Sequence, residues 1–406
     1  MNLTALAKAQ PSPAAWSELT AALDQKRPSS HQVSALSRLL RDWPPWMRVF
    51  PVPWFSAVAE GSHQPWYALA TDVDVGHWAY TLHSPGAYSH EMAPGYELDK
   101  ALAAFADSPA MAGVRRIRTC HEGGTSLLAH ADRLLDIALV AEVREPTVRT
   151  LIDAPWTSSL HSLVAENRDR DVPAALWPEL AGRFQALREL RLRSVDCHAD
   201  FVRALFDNRR VKLERLVLSS LRLGDEGVEA LLAGKPRKLE ELTLWGPGPS
   251  AETLVRLVQH STLRTLRSLS LQSQRAGDSL AIALSESPTM DDLEQLDLRG
   301  NGLTDGGVAM LVMSRRASRL RSLTLRGNPF SDVGARAIAR SPHLSKLEHL
   351  NIREANIGPQ GLRALMESDT LPALKVVNIM HNPGAEVMRT KLEARFERII
   401  DVSARG

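Results

Sequence analysis

The 406-residue chain is poor in cysteine, in aromatic side chains and in net charge, and each shortage excludes something. Two cysteines, Cys120 and Cys197, exclude a disulfide scaffold and any zinc site built from several thiolates. Lys and Arg number 49 against 47 Asp and Glu, a net charge of +2, which argues against a chain that coats DNA or RNA. No nucleic-acid partner is therefore expected. No apolar run approaches the roughly 20 residues of a membrane span, so no span is expected. The opening MNLTALAKAQPSP lacks a basic flank followed by a long apolar core, which argues against a secretory leader and for a soluble, cytoplasmic protein. Phosphate cradles of the GxxxxGK(S/T) and GxGxxG kinds are absent, as is HExxH. Arg outnumbers Lys 40 to 9, a bias that fits a GC-rich bacterial coding sequence.

The few aromatic residues crowd into one end. All four Tyr (Tyr67, Tyr80, Tyr88, Tyr96) and six of the nine Trp (Trp16, Trp43, Trp46, Trp54, Trp66, Trp78) lie in the first 96 residues. Beyond Tyr96 the chain is rich in Leu and Arg. Two ways of building a core are thus joined near residue 96.

An internal repeat occupies the second region. The segments LRELRL, LERLVL, LEELTL, LRSLSL, LEQLDL, LRSLTL, LEHLNI and LKVVNI share an LxxLxL pattern. They begin at Leu187, Leu213, Leu239, Leu266, Leu293, Leu320, Leu347 and Leu374, at steps of 26 or 27 residues. Within each unit the first half alternates with period 2 and reads as a short strand. The second half, as in GGVAMLVMS, has helical spacing and good helix formers. Apolar turn positions (Leu223, Leu303, Phe330, Ile357), glycines (Gly227, Gly307, Gly334, Gly361) and apolar helix positions (Leu205, Leu231, Leu257, Leu284, Leu311, Ile338, Leu365) keep the same step. Earlier copies are expected at Leu160 and Leu163, at Leu134, Ile137 and Leu139, and at Val114 and Ile117. Ser-Pro pairs at Ser108–Pro109, Ser287–Pro288 and Ser341–Pro342 stand at one phase, where proline ends a helix.

This unit resembles the leucine-rich repeat and is most similar to the ribonuclease-inhibitor-like subclass, over roughly residues 108–390. The resemblance implies an α/β solenoid, a horseshoe with a parallel sheet on its concave face and helices on its convex one. The family's turn asparagine stands here as Asn301, Asn328 and Asn382, whereas Val195, Leu221, Pro247, Gln274 and Ala355 fill the slot elsewhere. Three segments are expected. Residues 1–96 form an aromatic-rich N-terminal region, 97–384 hold about eleven repeats, and 385–406 form a capping helix, from about Ala385 to Ile400, and a tail. A single unit buries too little to fold alone, so its neighbours and end caps must cover it. In the N-terminal region, Ala14–Asp24 and Ser30–Asp42 look helical, with Ser30 as the candidate cap. Its Trp-Pro-rich part reads either as a packed cap on the first repeat or as a docking surface for a second partner.

Catalytic and metal chemistry find little support. Cys197 falls in an apolar slot of its unit. Cys120, His121 and Glu122 are adjacent along a strand and alternate sides, which is poor geometry for a nucleophile and its base. His77, His83 and His90, with Glu91, lack ligand spacing. No catalytic, metal-binding or cofactor-binding residue is expected.

The informative positions lie between the leucines, where side chains point away from the core. The site after the third pattern position runs Glu166, Arg193, Ser219, Trp245, Gln272, Arg299, Arg326, Arg353, Met380. Three arginines on adjacent strands, about 4.8 Å apart, repel by roughly 0.9 kcal/mol per pair even in water. Folding gains nothing evident from stacking them. Arg299, Arg326 and Arg353 are thus candidates for engaging an acidic patch on a protein partner, with Trp245 as apolar anchor. Arg193, His349, Asn351, Asp297 and Thr324 complete the candidate surface. The plain alternative is a solvated basic face relieved by Asp297 and Glu354.

The leading functional expectation is a non-enzymatic protein-binding module, an adaptor or scaffold gripping its partner on the concave face. A regulator of a small GTPase, and a recognition subunit of a bacterial defence or signalling complex, are the alternatives.

Overall fold

The structure is a computed structural model that describes residues 2–44, 48–51, 54, 57–58, 62–74, 102–119, 127–131, 134–139, 143–166, 172–193, 198–219, 223–236, 238–246 and 248–400. It divides into two compact units, Met1–Glu189 and Leu190–Gly406.

In the first unit, strands β1 (Asp72–Asp74), β2 (Arg116–Thr119), β3 (Asp136–Leu139) and β4 (Ser162–Glu166) pair in parallel and in sequence order. Val73, Ile117, Ile137 and Leu163 stand in one register row and are buried, and in β2, β3 and β4 the residues beside them along the strand are only half-buried. Ahead of the strands lie helices α1 (Leu3–Ala7), α2 (Pro13–Lys26) and α3 (Ser30–Leu39). The cap of α3 is Ser29, not Ser30, because Gln32 stands three residues beyond Ser29 and closes a capping box with it. Trp16, Trp43, Trp54 and Trp66 are all buried, in a cluster with Phe50, Tyr67 and Phe105. Trp54 stacks on Tyr67 with ring centroids 4.9 Å apart. The indole N–H groups find partners: Trp16 donates to the Val49 carbonyl at 2.8 Å, and Trp54 and Trp66 donate to the Asp24 carboxylate at 2.8 and 3.0 Å. Trp46, Trp78, Tyr80, Tyr88 and Tyr96 lie outside the described residues.

Strand β5 (Glu189–Arg193) straddles the division. The second unit continues with β6 (Arg215–Ser219), β7 (Glu241–Trp245), β8 (Ser268–Gln272), β9 (Gln295–Asp297), β10 (Ser322–Thr324), β11 (His349–Asn351), β12 (Val376–Asn378) and β13 (Arg398–Ile400). From β6 onward each strand is parallel to the next. Leu216, Leu242, Leu269, Leu296, Leu323, Leu350 and Val377 share one register row and are buried to 2% exposure or less. Helices return between the strands, and their periodic residues Leu205, Leu231, Leu257, Leu284, Leu311, Ile338 and Leu365 are no more than 1% exposed. The fold is an α/β repeat array, with the leucine rows of the sheet and the inner faces of the helices sharing one core.

Polar side chains lock each repeat to the one before it. Asn301 Nδ2 donates to the carbonyls of Leu271 and Leu298 at 2.7 and 2.9 Å, and Asn328 and Asn382 repeat the device. Gln274 performs it with a longer side chain, reaching the Leu244 carbonyl at 3.1 Å. Ala355 fills the slot with a buried methyl group, and Val195, Leu221 and Pro247 lie outside the described residues. The Ser-Pro phase has a second use: the hydroxyls of Ser287 and Ser341 donate to the Val258 and Val312 carbonyls near the ends of the preceding helices.

The C-terminus departs from expectation. The helix begun at Ala385 stops at Glu393 rather than running to Ile400, and Arg398–Ile400 pair in parallel with β12 as a thirteenth strand. Two consecutive isoleucines favour the extended backbone that the exposed edge of β12 can pair.

Candidate functional site

The second unit presents an open sheet face whose rows come from the non-leucine positions of each strand. One row holds Asp297, Thr324, Asn351 and Asn378 in direct register; another holds Gln295, Ser322, His349 and Val376. His349 is exposed, while Asp297, Thr324 and Asn351 are half-buried. The third row begins at the strand ends. Arg193 closes β5 and is exposed, and Trp245 closes β7 opposite Ser219 and Gln272. The Trp245 side chain is large and apolar, yet the residue remains 50% exposed.

Arg299, Arg326 and Arg353 lie two residues past the ends of β9, β10 and β11. They are held in step by the backbone, since Gly300 N–H donates to the Arg326 carbonyl and Gly327 N–H to the Arg353 carbonyl, both at 2.9 Å. The structure thus brings the three into one row, and it also supplies each with a carboxylate. Arg299 Nε donates to Asp297 Oδ2 at 2.8 Å, and the same carboxylate accepts the Arg299 backbone N–H at 3.0 Å. Arg326 Nε and Arg353 Nη2 converge on Glu354, at 3.1 Å to Oε2 and 2.9 Å to Oε1. Hydrogen bonding from Arg326, against a burial cost and with help from Arg353, holds the Glu354 carboxyl below its usual range. The repulsion expected from stacked arginines is thereby relieved locally.

Glu354 owes its place to an unusual backbone. Ser273, Gly300, Gly327, Glu354 and His381 fall at one repeat phase, with φ of 56°, 67°, 68°, 58° and 57°. Glycine adopts this left-handed conformation without steric cost, whereas glutamate does not. The replacement of a periodic turn glycine by Glu354 was the available sequence signal for its role in the row. A further ion pair crosses the face, from Arg191 on β5 to Glu241 on β7 at 3.1 Å. Arg191, Arg193, Arg215, Arg299, Arg326 and Arg353 stand against Glu189, Glu241, Asp297 and Glu354 on these rows, an excess of two positive charges.

Cys120, His121, Glu122, Cys197, His77, His83, His90 and Glu91 lie outside the described residues. Among the described residues, no group of three or more His, Cys, Asp or Glu is gathered as a metal ion would require. Among the same residues, no helix is long and apolar enough to cross a membrane.

Three segments of the chain, residues 292–312, 318–339 and 343–366, match the family model of the Leucine Rich repeat. The chain therefore carries leucine-rich repeats, and the arginine row lies across the three matched segments. Among curated proteins, no sequence matches. Among solved structures, the chain is similar in fold to one from the crystal structure of the Rad7 and Elc1 complex in yeast, with a TM-score of 0.56 and 14% identity. The likeness covers 96% of this chain and 92% of that one.

Proposed function

We propose that this chain is a non-enzymatic protein-interaction module, an adaptor or scaffold that takes a protein partner on the open sheet face of Leu190–Gly406. The observation that carries the reading is Trp245. A side chain of that size, half-exposed at the end of β7 and in line with three arginines, gives folding little in return for its exposure. It gives a partner an apolar anchor of the type enriched in binding hot spots. The parallel register keeps its neighbours at fixed spacing, so the surface is rigid before it meets anything. The excess positive charge suits a partner with an acidic surface. The repeat family and the structural likeness to a member of a two-protein complex favour the same reading.

The test is affinity capture from the native host, comparing the tagged wild-type chain with the triple variant Arg299→Glu, Arg326→Glu, Arg353→Glu. The expected result is a reproducible protein partner lost from the variant while its melting temperature stays within a few degrees. Undiminished capture by a folded variant refutes the assignment to this face.

A further inference from the structure

We propose that Arg326 and Arg353 form a carboxylate-receiving subsite which the resting chain fills with its own Glu354, and that an acidic, extended segment of the protein partner takes the place of Glu354. The inference rests on the reading that this sheet face binds protein, and adds what the site recognises and how it is masked.

The geometry separates the two ion-pair systems in the row. Asp297 belongs to its site: it is only 17% exposed, and it also receives the Arg299 backbone N–H. Glu354 is different on three counts. One carboxylate serves two guanidinium groups, so the cluster of Arg326, Arg353 and Glu354 keeps one positive charge in excess. Its side chain is 38% exposed and its two arginines 36% and 27%, which makes these pairs surface pairs that exchange at low cost. Its backbone sits in the left-handed region, where the two preceding repeats place glycine. Ser273 and His381 share that left-handed phase, so the turn admits a side chain there, and at Glu354 the side chain is a carboxylate set where two forked donors converge. A partner carboxylate can meet the same forked donors.

The occupant follows from charge and spacing. Trp245 on β7 and the arginine after β10 are three strands apart, roughly 14 Å at about 4.8 Å per strand. An extended peptide rises about 3.3 Å per residue, so an apolar side chain over Trp245 and a carboxylate at Arg326 fall about four residues apart. The excess of positive charge across the rows favours further acidic residues in the same segment.

The test uses the purified full chain and a fluorescein-labelled dodecapeptide of alternating Ser and Glu, with a Ser–Gln peptide as control, read by anisotropy at low salt. Glu354→Gln and Glu354→Gly should each tighten binding of the acidic peptide by about two- to five-fold. The glycine variant also relieves the left-handed backbone, so loss of folding is not expected, and circular dichroism checks it. The gain should vanish when Arg326→Ser and Arg353→Ser are added. Equal or weaker binding by both Glu354 variants overturns the proposal, as does a gain that survives loss of the arginines, or no binding of the acidic peptide by any variant. The underlying reading fails separately, if Trp245→Ala still captures the native partner.

Discussion

Asn328 holds the turn of Asn301 from one repeat away: its Oδ1 accepts the Asn301 backbone N–H at 3.0 Å. The same oxygen accepts the Leu303 N–H at 3.0 Å, and its Nδ2 donates to the Leu298 and Leu325 carbonyls at 3.0 and 2.8 Å. Four backbone groups of two successive repeats thus depend on one fully buried amide. Asn328→Ala leaves those groups without partners in the interior, and the loss should be about 2–4 kcal/mol. Urea unfolding followed by circular dichroism checks it. A loss below about 1 kcal/mol would show that the turn is held by its backbone alone.

Acid should loosen the same repeats through Asp305. Burial opposes its charge, but the Ser331 backbone N–H and hydroxyl, both at 2.8 Å, and the Gly334 N–H at 2.7 Å outweigh it and hold the carboxyl below its ordinary value of 3.8. A depressed folded pKa means stability that is fully present above the unfolded value and lost as pH falls through the folded one. Asp305→Asn should therefore cost about 1 kcal/mol at pH 7, as a partly exposed carboxylate bound to three donors. The gap between wild type and variant should narrow as pH falls below 3.8. Urea midpoints at pH 7, 5, 4 and 3 measure this, and a gap that widens toward acid would give the wrong sign.

Three of the four periodic glycines, Gly307, Gly334 and Gly361, lie against a carboxylate of the preceding repeat. Asp332 Oδ1 accepts the Gly361 N–H at 2.9 Å, and a Cβ placed at Gly361 would lie 2.5 Å from that oxygen and 2.8 Å from Ile357 Cγ2. Gly361→Ala should push the helix start away from its neighbour and cost about 1–3 kcal/mol, although alanine is the better helix former. A melting temperature raised by the substitution would refute this account.

The repeats were legible because they rest on apolar periodicity, which a chain writes into itself at every step. Leu213 to Leu374 mark seven successive buried strand rows, and the glycine phase was visible as a pattern. What was not legible depends on reach rather than on period. Gln274 looks like a departure from the asparagine slot until its extra methylene is seen to carry the amide to the Leu244 carbonyl. Glu354 looks like a remote counterion until its left-handed backbone turns the carboxylate between two arginines. The end of the last helix is hidden in the sequence because the charges through Arg395 continue a helical pattern. The edge of β12 offered Arg398–Ile400 a pairing that local propensity does not reveal.

Trp245 separates stability from recognition most cleanly. Its backbone is committed to β7, paired with Ser219 on one side and Gln272 on the other, but half of the residue faces solvent. Trp245→Ala removes the covered half of the ring, roughly 100 Å² at about 25 cal/mol per Å², so the unfolding free energy should fall by no more than about 2–3 kcal/mol. An anchor of this size in a desolvated contact is worth about 2 kcal/mol or more, a loss of roughly 30-fold in affinity. Trp245→Phe should recover part of that loss, because a flat apolar ring remains while the indole N–H is gone. Measured against the captured partner by calorimetry, an alanine variant that unfolds more easily yet binds as tightly would make Trp245 a structural residue. The protein-binding surface would then have to be sought elsewhere on the chain.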